Sequence, residues 1–263
     1  MNILVFIKQV ADTEARIIIS SDNKGLEIEN KYTVNFFDEF AVEEAIRIKE
    51  KLKESQITVA TFAPPRAIEA LRTVIAMGAD RAFLIDSTNC ENDDPLITAR
   101  ILAGFAKKEG FDLILCGRQA IDDESGTVGA MTAEFLGIPH ISQISKFTIM
   151  DSGKAQVENE IEGGKKISEV TLPALFTTQK GLNEPRVPLI TGVMKAMKTQ
   201  IPVIDPASLD MPFGPITNDA SKISVLSYEM PAKRPAVKII EGATPEEKAA
   251  GLVRQLKEEA KVL

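Results

Sequence analysis

The stretch Leu115-Cys116-Gly117-Arg118-Gln119-Ala120-Ile121-Asp122-Asp123-Glu124-Ser125-Gly126-Thr127-Val128-Gly129 decides how this chain reads. The apolar run Phe111 to Cys116 predicts a strand ahead of it, and a helical pattern begins near Thr127 and stops at Gly137. A strand passing through small residues into a helix leaves backbone N–H groups unpaired at the helix start, which suits a phosphate or another anion. Asp122, Asp123 and Glu124 also fit plain capping and compensation of the helix dipole. They oppose a phosphate unless it lies against Ser125 to Val128 while the acids point outward, and residue types alone leave both readings open.

Outward from this loop, strand and helix alternate through the first 137 residues. Residues 2 to 8 read as a buried strand, and Arg16 to Ser20 with Leu26 to Glu29 as a hairpin around Asp22-Asn23-Lys24-Gly25. A helix capped near Asn35 or Asp38 follows, with Phe40, Ala41, Ala45, Ile48 and Leu52 inward. Next come a strand over Ile57 to Phe62, a helix opened by Pro64-Pro65 with Ile68, Leu71, Val74 and Ile75 inward and stopped by Gly78, and a strand over Ala82 to Ile85. A third helix spans Pro95 to Lys108, burying Leu96, Ile97, Ile101, Leu102 and Phe105. This rhythm predicts an α/β fold with a doubly wound, mostly parallel sheet and a ligand crevice at the carboxyl ends of its strands. Phe62-Ala63-Pro64 lies at such an end, as does the loop after Cys116.

Beyond about residue 142, period-two runs at Phe147 to Met150, Gln156 to Ile161, Lys166 to Val170 and Ala174 to Thr178 predict antiparallel extensions. Turns are expected at Asp151-Ser152-Gly153 and Glu162-Gly163-Gly164. Met211 to Lys222 reads as a linker, Ile223 to Tyr228 as an isolated strand, and Thr244 to Lys261 as an amphipathic helix. We therefore expect one unit over 1–210 and an arm over 211–263 too small to carry its own core, which points to a partner chain as its host.

The net charge of −7, without a Lys/Arg-rich run, argues against nucleic acid. Met1 to Ile7 reads as a strand rather than a signal peptide, and no apolar stretch approaches bilayer length, so a cytoplasmic location is expected. Two cysteines, Cys90 and Cys116, are too few for a disulfide framework or a cysteine metal site. The single histidine, His140, stands at a turn after Gly137-Ile138-Pro139 and reads as structural. That removes most familiar catalytic schemes, and neither a Walker loop nor a Gly-x-Gly-x-x-Gly after the first strand is present.

Gly117-Arg118-Gln119-Ala120-Ile121-Asp122-Asp123, Ala76-Met77-Gly78-Ala79-Asp80-Arg81 and Leu182-Asn183-Glu184-Pro185-Arg186 resemble the β subunit family of electron transfer flavoprotein. The opening Ile3 to Asp12 and Val42-Glu43-Glu44-Ala45 resemble it too, and the likeness runs in order to the C-terminus. The resemblance implies an adenine-nucleotide-hydrolase-like fold and an electron carrier rather than an enzyme. It implies an α subunit partner holding most of the FAD, flavin dehydrogenases such as acyl-CoA dehydrogenases as donors, and a membrane quinone oxidoreductase as acceptor.

Carried over by residue, the resemblance implies that Gly117, Arg118, Gln119, Ala120, Ile121, Asp122, Asp123, Glu124, Ser125, Gly126, Thr127 and Val128 form an AMP-binding loop. Phe6, Phe62 and Ala63 would contribute backbone contacts and Asn35 a polar one. Phe37 matches a position near the α subunit's flavin ring, and Thr13 another, where several relatives carry an aromatic residue. Val187 to Lys198 resembles a partner-recognition loop with Ile190 as its anchor and Met194, Lys195 and Lys198 beside it. Some members bifurcate electrons and bind a second FAD in place of AMP. Their loop typically has glycine where this chain has Asp123 and proline where it has Ala130, so AMP is preferred here.

Two rivals come from other classes. A stand-alone adenine-nucleotide module of the universal-stress type usually ends near where the sheet extensions begin here. An adenylating enzyme of the pyrophosphatase fold needs a Ser-Gly-Gly-x-Asp-Ser loop where this chain has Lys8-Gln9-Val10-Ala11-Asp12.

Overall fold

The apolar runs of the first half become the centre of a sheet. The computed structural model describes residues 1–263 apart from 91–93, 151–152, 213, 215, 217–220 and 235. Strands β1 (Asn2–Phe6) and β2 (Gln9–Ala11) are followed by the hairpin β3 (Ile17–Ile19) and β4 (Leu26–Ile28), then β5 (Tyr32–Val34) and helix α1 (Phe36–Lys51). Strand β6 (Gln56–Ala63), helix α2 (Ile68–Met77), β7 (Arg81–Asp86), α3 (Pro95–Glu109), β8 (Leu113–Gly117) and α4 (Val128–Leu136) continue the alternation. Then come β9 (His140–Met150), β10 (Lys154–Ile161), β11 (Gly164–Thr171), β12 (Ala174–Thr178), α5 (Ile190–Lys198), β13 (Val203–Ile204) and α6 (Pro245–Glu258).

Among the described residues, nine strands form one sheet in the order β11-β10-β9-β12-β8-β1-β6-β7-β13. Its central ladders are parallel: β1 with β6 and β8, β6 with β7, and β12 with β8 and β9. Parallel strands joined by helical crossovers are covered on both faces, which is why β1 and β8 are apolar almost throughout. Alternate residues feed two cores. Ile3, Val5, Leu113 and Leu115 pack with α1 and α2, while Leu4, Phe6, Ile114 and Cys116 pack with α3 and α4.

Several expectations are corrected. Ala174–Thr178 is not part of an antiparallel hairpin; it inserts as a parallel strand between β8 and β9, and all its residues are buried, so its composition reflects burial rather than alternation. His140 is the first residue of β9 rather than a turn residue. The strand expected over residues 2 to 8 stops at Phe6. Leu52 falls just past α1 and is exposed, and Leu96 is only half-buried. Ile223 to Tyr228 forms no strand, because a lone strand has no neighbour to satisfy its N–H and C=O groups. The edge strand β13, paired with β7, was not foreseen.

The expected turn residues Asp151 and Ser152 and part of the tract Met211 to Lys222 lie outside the described residues. The described part of that tract runs along α3 rather than free. The Arg100 guanidinium donates to the Pro212 and Gly214 carbonyls at 3.0 and 2.7 Å, and the Lys222 N–H donates to Asp94 at 2.6 Å. The chain divides into two compact units, Met1–Ser227 and Tyr228–Leu263. Within the second, Thr244 caps α6 by accepting from the Glu247 N–H, and Glu247 reaches back to accept from the Ala243 N–H at 2.8 Å.

Candidate functional site

The chain leaves β1 for β6 and β7 on one side and returns with β8 on the other, so strand order reverses between β1 and β8. A doubly wound sheet binds ligands outside its carboxyl edge at such a reversal. Here the first turn of α1 closes that point. Asp38 accepts the Lys8 N–H at 2.7 Å and the Gly117 N–H at 2.8 Å, so a single carboxylate ties the exits of β1 and β8. The contact demands glycine at 117: an added Cβ would lie 2.3 Å from Asp38 Oδ1 and 2.8 Å from the Phe37 carbonyl carbon.

Asn35 does a related job. Its N–H donates to the Lys8 carbonyl at 2.9 Å, its side-chain amide donates to the Gln119 carbonyl at 2.9 Å, and its Oδ1 accepts the Ile121 N–H at 3.1 Å. Asn35 is the N-cap residue of α1, yet its side chain makes no capping bond with that helix. A cap bond forgone costs about 1 kcal/mol, so its side chain is diverted to shape the loop. Thr178, at the end of β12, completes the frame by donating to the Phe37 carbonyl at 2.9 Å and accepting the Arg118 N–H on its own carbonyl at 2.9 Å.

The three acids separate. Lys8 Nζ reaches Asp122 at 2.8 Å and Asp123 at 3.1 Å, and Asp123 also accepts the Ser125 N–H at 3.0 Å. Burial works against the Lys8 charge, but these two carboxylates outweigh it and raise its pKa. Both acids are thereby drawn toward the β1 side. Beyond them the backbone turns through positive φ at Glu124 and Gly126 (53° and 61°), and α4 starts at Val128 with N-cap Thr127 making no side-chain cap bond. Gly129 seats that helix start against the sheet, where a Cβ would meet Thr177 Cγ2 at 2.8 Å and Cys116 Sγ at 3.0 Å.

The carried-over residues fall into two groups. Residues 117 to 128 surround the strand reversal together with Asn35, whereas the Phe6 side chain is buried in the core, leaving only its backbone to face a ligand. Ala63 is buried and Phe62 partly so at the end of β6. Phe37 lies beneath the Arg118 guanidinium, 4.9 Å from ring centre to Cζ, and Arg118 Nε is buried without a protein partner. Thr13 is exposed on the segment after β2. Lys8, Asp38 and Thr178 were missed; the one signal for Asp38 was its place on the first helical turn, where it reads equally well as a cap.

The recognition segment is a short approach followed by a helix, not a loop throughout: Ile190 begins α5. Arg186 fixes the approach with a bidentate pair to buried Glu43, at 2.8 and 3.0 Å, and a further bond to Glu50 at 2.8 Å. Hydrogen bonds to Glu43 and Glu50 hold the Arg186 pKa above its ordinary value. The Asn183 amide donates to the Phe40 carbonyl and to Glu44, both at 3.0 Å. Past this clip, Val187, Leu189 and Ile190 are 86, 73 and 81% exposed, with Met194, Met197, Lys195 and Lys198 also in solvent. Gly192 allows α5 to lie against α2, since a Cβ there would meet the Ala76 carbonyl oxygen at 2.3 Å.

Among the described residues, no group of three or more His, Cys, Asp or Glu is placed to hold a metal ion, and no helix is long and apolar enough to cross a membrane.

Residues 26–209 match the family described as "Electron transfer flavoprotein domain". The chain is 38% identical to the "Electron transfer flavoprotein subunit beta" of Homo sapiens, over 98% of this chain and 97% of that protein. It is 38% identical to the subunit of the same name from Bacillus subtilis over the full length of both, and 36% identical to that of Syntrophomonas wolfei over 100% of this chain and 98% of the relative. The clip from Asn183 and Arg186 onto Glu43 and Glu44, and the frame around Gly117, join stretches far apart in the sequence into one architecture; with these matches, the chain belongs to the electron transfer flavoprotein β subunit family.

Proposed function

We propose that this chain is the β half of a heterodimeric electron carrier, binding AMP at the loop after β8 and enclosing one side of a flavin held mainly by an α subunit. The flavin supplies one-electron chemistry when bound, and the protein supplies binding and electrostatics. What supports the AMP reading is the uncapped start of α4 with its neighbouring acids drawn off by Lys8. That leaves amides and a positive helix end for a phosphate against Ser125 to Val128. The orphaned Arg118 Nε is a further donor in want of an acceptor.

Phe37, held under Arg118, would present an apolar edge toward the flavin, with Thr13 near it. Ile190 would anchor a flavin dehydrogenase, flanked by Met194, Lys195 and Lys198, and a membrane quinone oxidoreductase would accept the electrons. Of the arm expected over 211–263, the part beyond Ser227 would pack on the α subunit, since Pro212, Gly214 and Lys222 are tied to this chain's own α3 region. AMP is favoured over a second FAD because Asp123, held by Lys8 and bonded to the Ser125 N–H, stands where the bifurcating loop has glycine.

Heating the co-purified heterodimer and identifying the released nucleotides by mass tests this reading. One AMP and one FAD per heterodimer support it; two FAD, or no adenylate beside the FAD, overturn it. Stripping AMP should lower the melting temperature, since a ligand of the native state stabilises it, while leaving the flavin potential nearly unchanged.

A further inference from the structure

We infer that Asp38 is a positioning residue for the nucleotide loop, and that only its ionised carboxylate holds the exits of β1 and β8 in the nucleotide-binding geometry. This rests on the AMP reading for its functional readout, and on the strand geometry alone for its structural one.

Asp38 accepts two backbone donors, the Lys8 N–H on Oδ2 and the Gly117 N–H on Oδ1, and the Asn35 side chain also interacts with its carboxylate. A carboxylate accepts at both oxygens. A protonated carboxyl keeps one strong carbonyl acceptor and offers the other N–H only a hydroxyl oxygen, a much weaker acceptor, so one of the two ties is weakened. Because one donor is the Lys8 amide and the other opens residues 117 to 128, weakening either tie loosens the two segments just beyond the ladder that pairs Phe6 with Cys116. Lys8 also carries the charge that draws Asp122 and Asp123 away from the start of α4, so its displacement returns those acids toward a bound phosphate.

The titration falls in an accessible range. Burial pushes the Asp38 carboxyl up to about 7, opposed by the Lys8 N–H, Asn35, the Gly117 N–H and the Lys8 charge. Lys8 is its charged neighbour and Cys116 its titratable one; burial and then Asp38 push the Cys116 thiol up, leaving it neutral throughout this range. Asp122 and Asp123 pair with the Lys8 ammonium, and neither contributes to the shift of the Asp38 carboxyl.

The test measures dissociation of AMP from the intact heterodimer between pH 5.5 and 8.5 for wild type and Asp38→Asn, with hydrogen exchange of the Lys8 and Gly117 amides followed in both. Asn has the shape of the neutral acid at every pH. We expect wild type to hold AMP about tenfold longer at the alkaline end, the loss of one hydrogen bond to a charged group setting that scale. D38N should release AMP at the fast, acidic-limb rate throughout, apart from the shallow change that the phosphate's own ionisation near pH 6 produces in both proteins. At least one of the two amides should exchange faster in D38N, the one left facing the side-chain NH2.

Identical pH profiles in the two proteins overturn the inference, as does unchanged exchange at both amides. If D38N does not assemble, the wild-type profile still decides, a flat response beyond the phosphate contribution refuting it. If wild type yields no adenylate at all, the AMP reading fails by itself, and amide exchange alone judges the tie.

Discussion

The carboxyl edge of the sheet and the flank at α5 break the same rule in opposite directions. At the edge, the polar side chains of Asn35, Asp38 and Thr178 are buried, at 1, 5 and 0% exposure. At the flank, Val187, Leu189 and Ile190 stand in solvent. A buried polar group and an exposed apolar cluster are each more informative than their converses, because folding alone favours neither. The edge is shaped from within and should be fragile toward changes of a single atom. The flank, covered only in a complex under the function proposed above, should tolerate substitution without loss of fold.

The largest test of that contrast is pH. The Asp38 carboxyl rises from an ordinary 3.8 to about 7 because burial disfavours its charge. The folded state therefore binds this proton more readily than the unfolded chain does. The stability it contributes is complete below about pH 4 and is lost as pH climbs through about 7, by up to about 4 kcal/mol. Melting temperatures of wild type and D38N at pH 5 and 8 check this: the wild-type decline should be much shallower in the variant. Nucleotide retention should improve over the same interval in which stability falls, the trade expected where a site keeps a charge its fold would rather neutralise.

Gly117→Ala should come next. The added methyl has backbone on one side and a buried carboxylate on the other, so relief requires moving the start of α1. We expect a loss of about 3 kcal/mol, read as a lowered melting temperature, together with loss of AMP from the purified complex. A G117A protein that melts within a degree of wild type and keeps its nucleotide would show the edge to be far softer than these contacts imply.

Arg186→Ala probes the seam between the regions. It leaves Glu43 buried without its bidentate partner, but solvent at the exposed side of Arg186 softens the penalty, so about 2 kcal/mol is expected rather than the full cost of a severed buried pair. Because Arg186 also fixes the approach to α5, the variant should, under the proposed function, weaken docking of a dehydrogenase as well; R186A with unchanged electron transfer from a dehydrogenase would count against the clip as a mount for that helix.

Much of the edge was legible because its signals are local. The run Phe111 to Cys116 followed by small residues announces a strand-to-helix turn, and Gly78 and Gly137 stop their helices at positive φ (143° and 66°) as expected. What escaped reading is what depends on remote partners. Nothing near Ala174 shows that β12 will enter the middle of the sheet, since that place is created by β8 and β9. Asp38 looks like a helix-capping acid, and its true partners lie 30 and 79 positions away in sequence. Lys8 likewise carries no local mark of pairing with Asp122. The helical character of 190–198 was hidden because no side chain caps its start.

The smallest effect on stability is predicted at Ile190. It is the first residue of α5, and its side chain is almost wholly in solvent, so Ile190→Ala removes little buried area and should change stability by less than about 0.5 kcal/mol. If the flank is a docking surface, the same change should slow reduction of the flavin by a dehydrogenase severalfold or more, since a few central apolar anchors carry most of an interface's energy. Stopped-flow reduction of the I190A complex by its dehydrogenase, with melting measured in parallel, separates the two quantities. A fall in stability matching the fall in rate would mean that Ile190 belongs to the fold after all, and the distinction between the two regions would collapse. Slowed reduction at unchanged stability would place the flank's apolar surface in recognition, leaving burial of polar groups as the device peculiar to the edge.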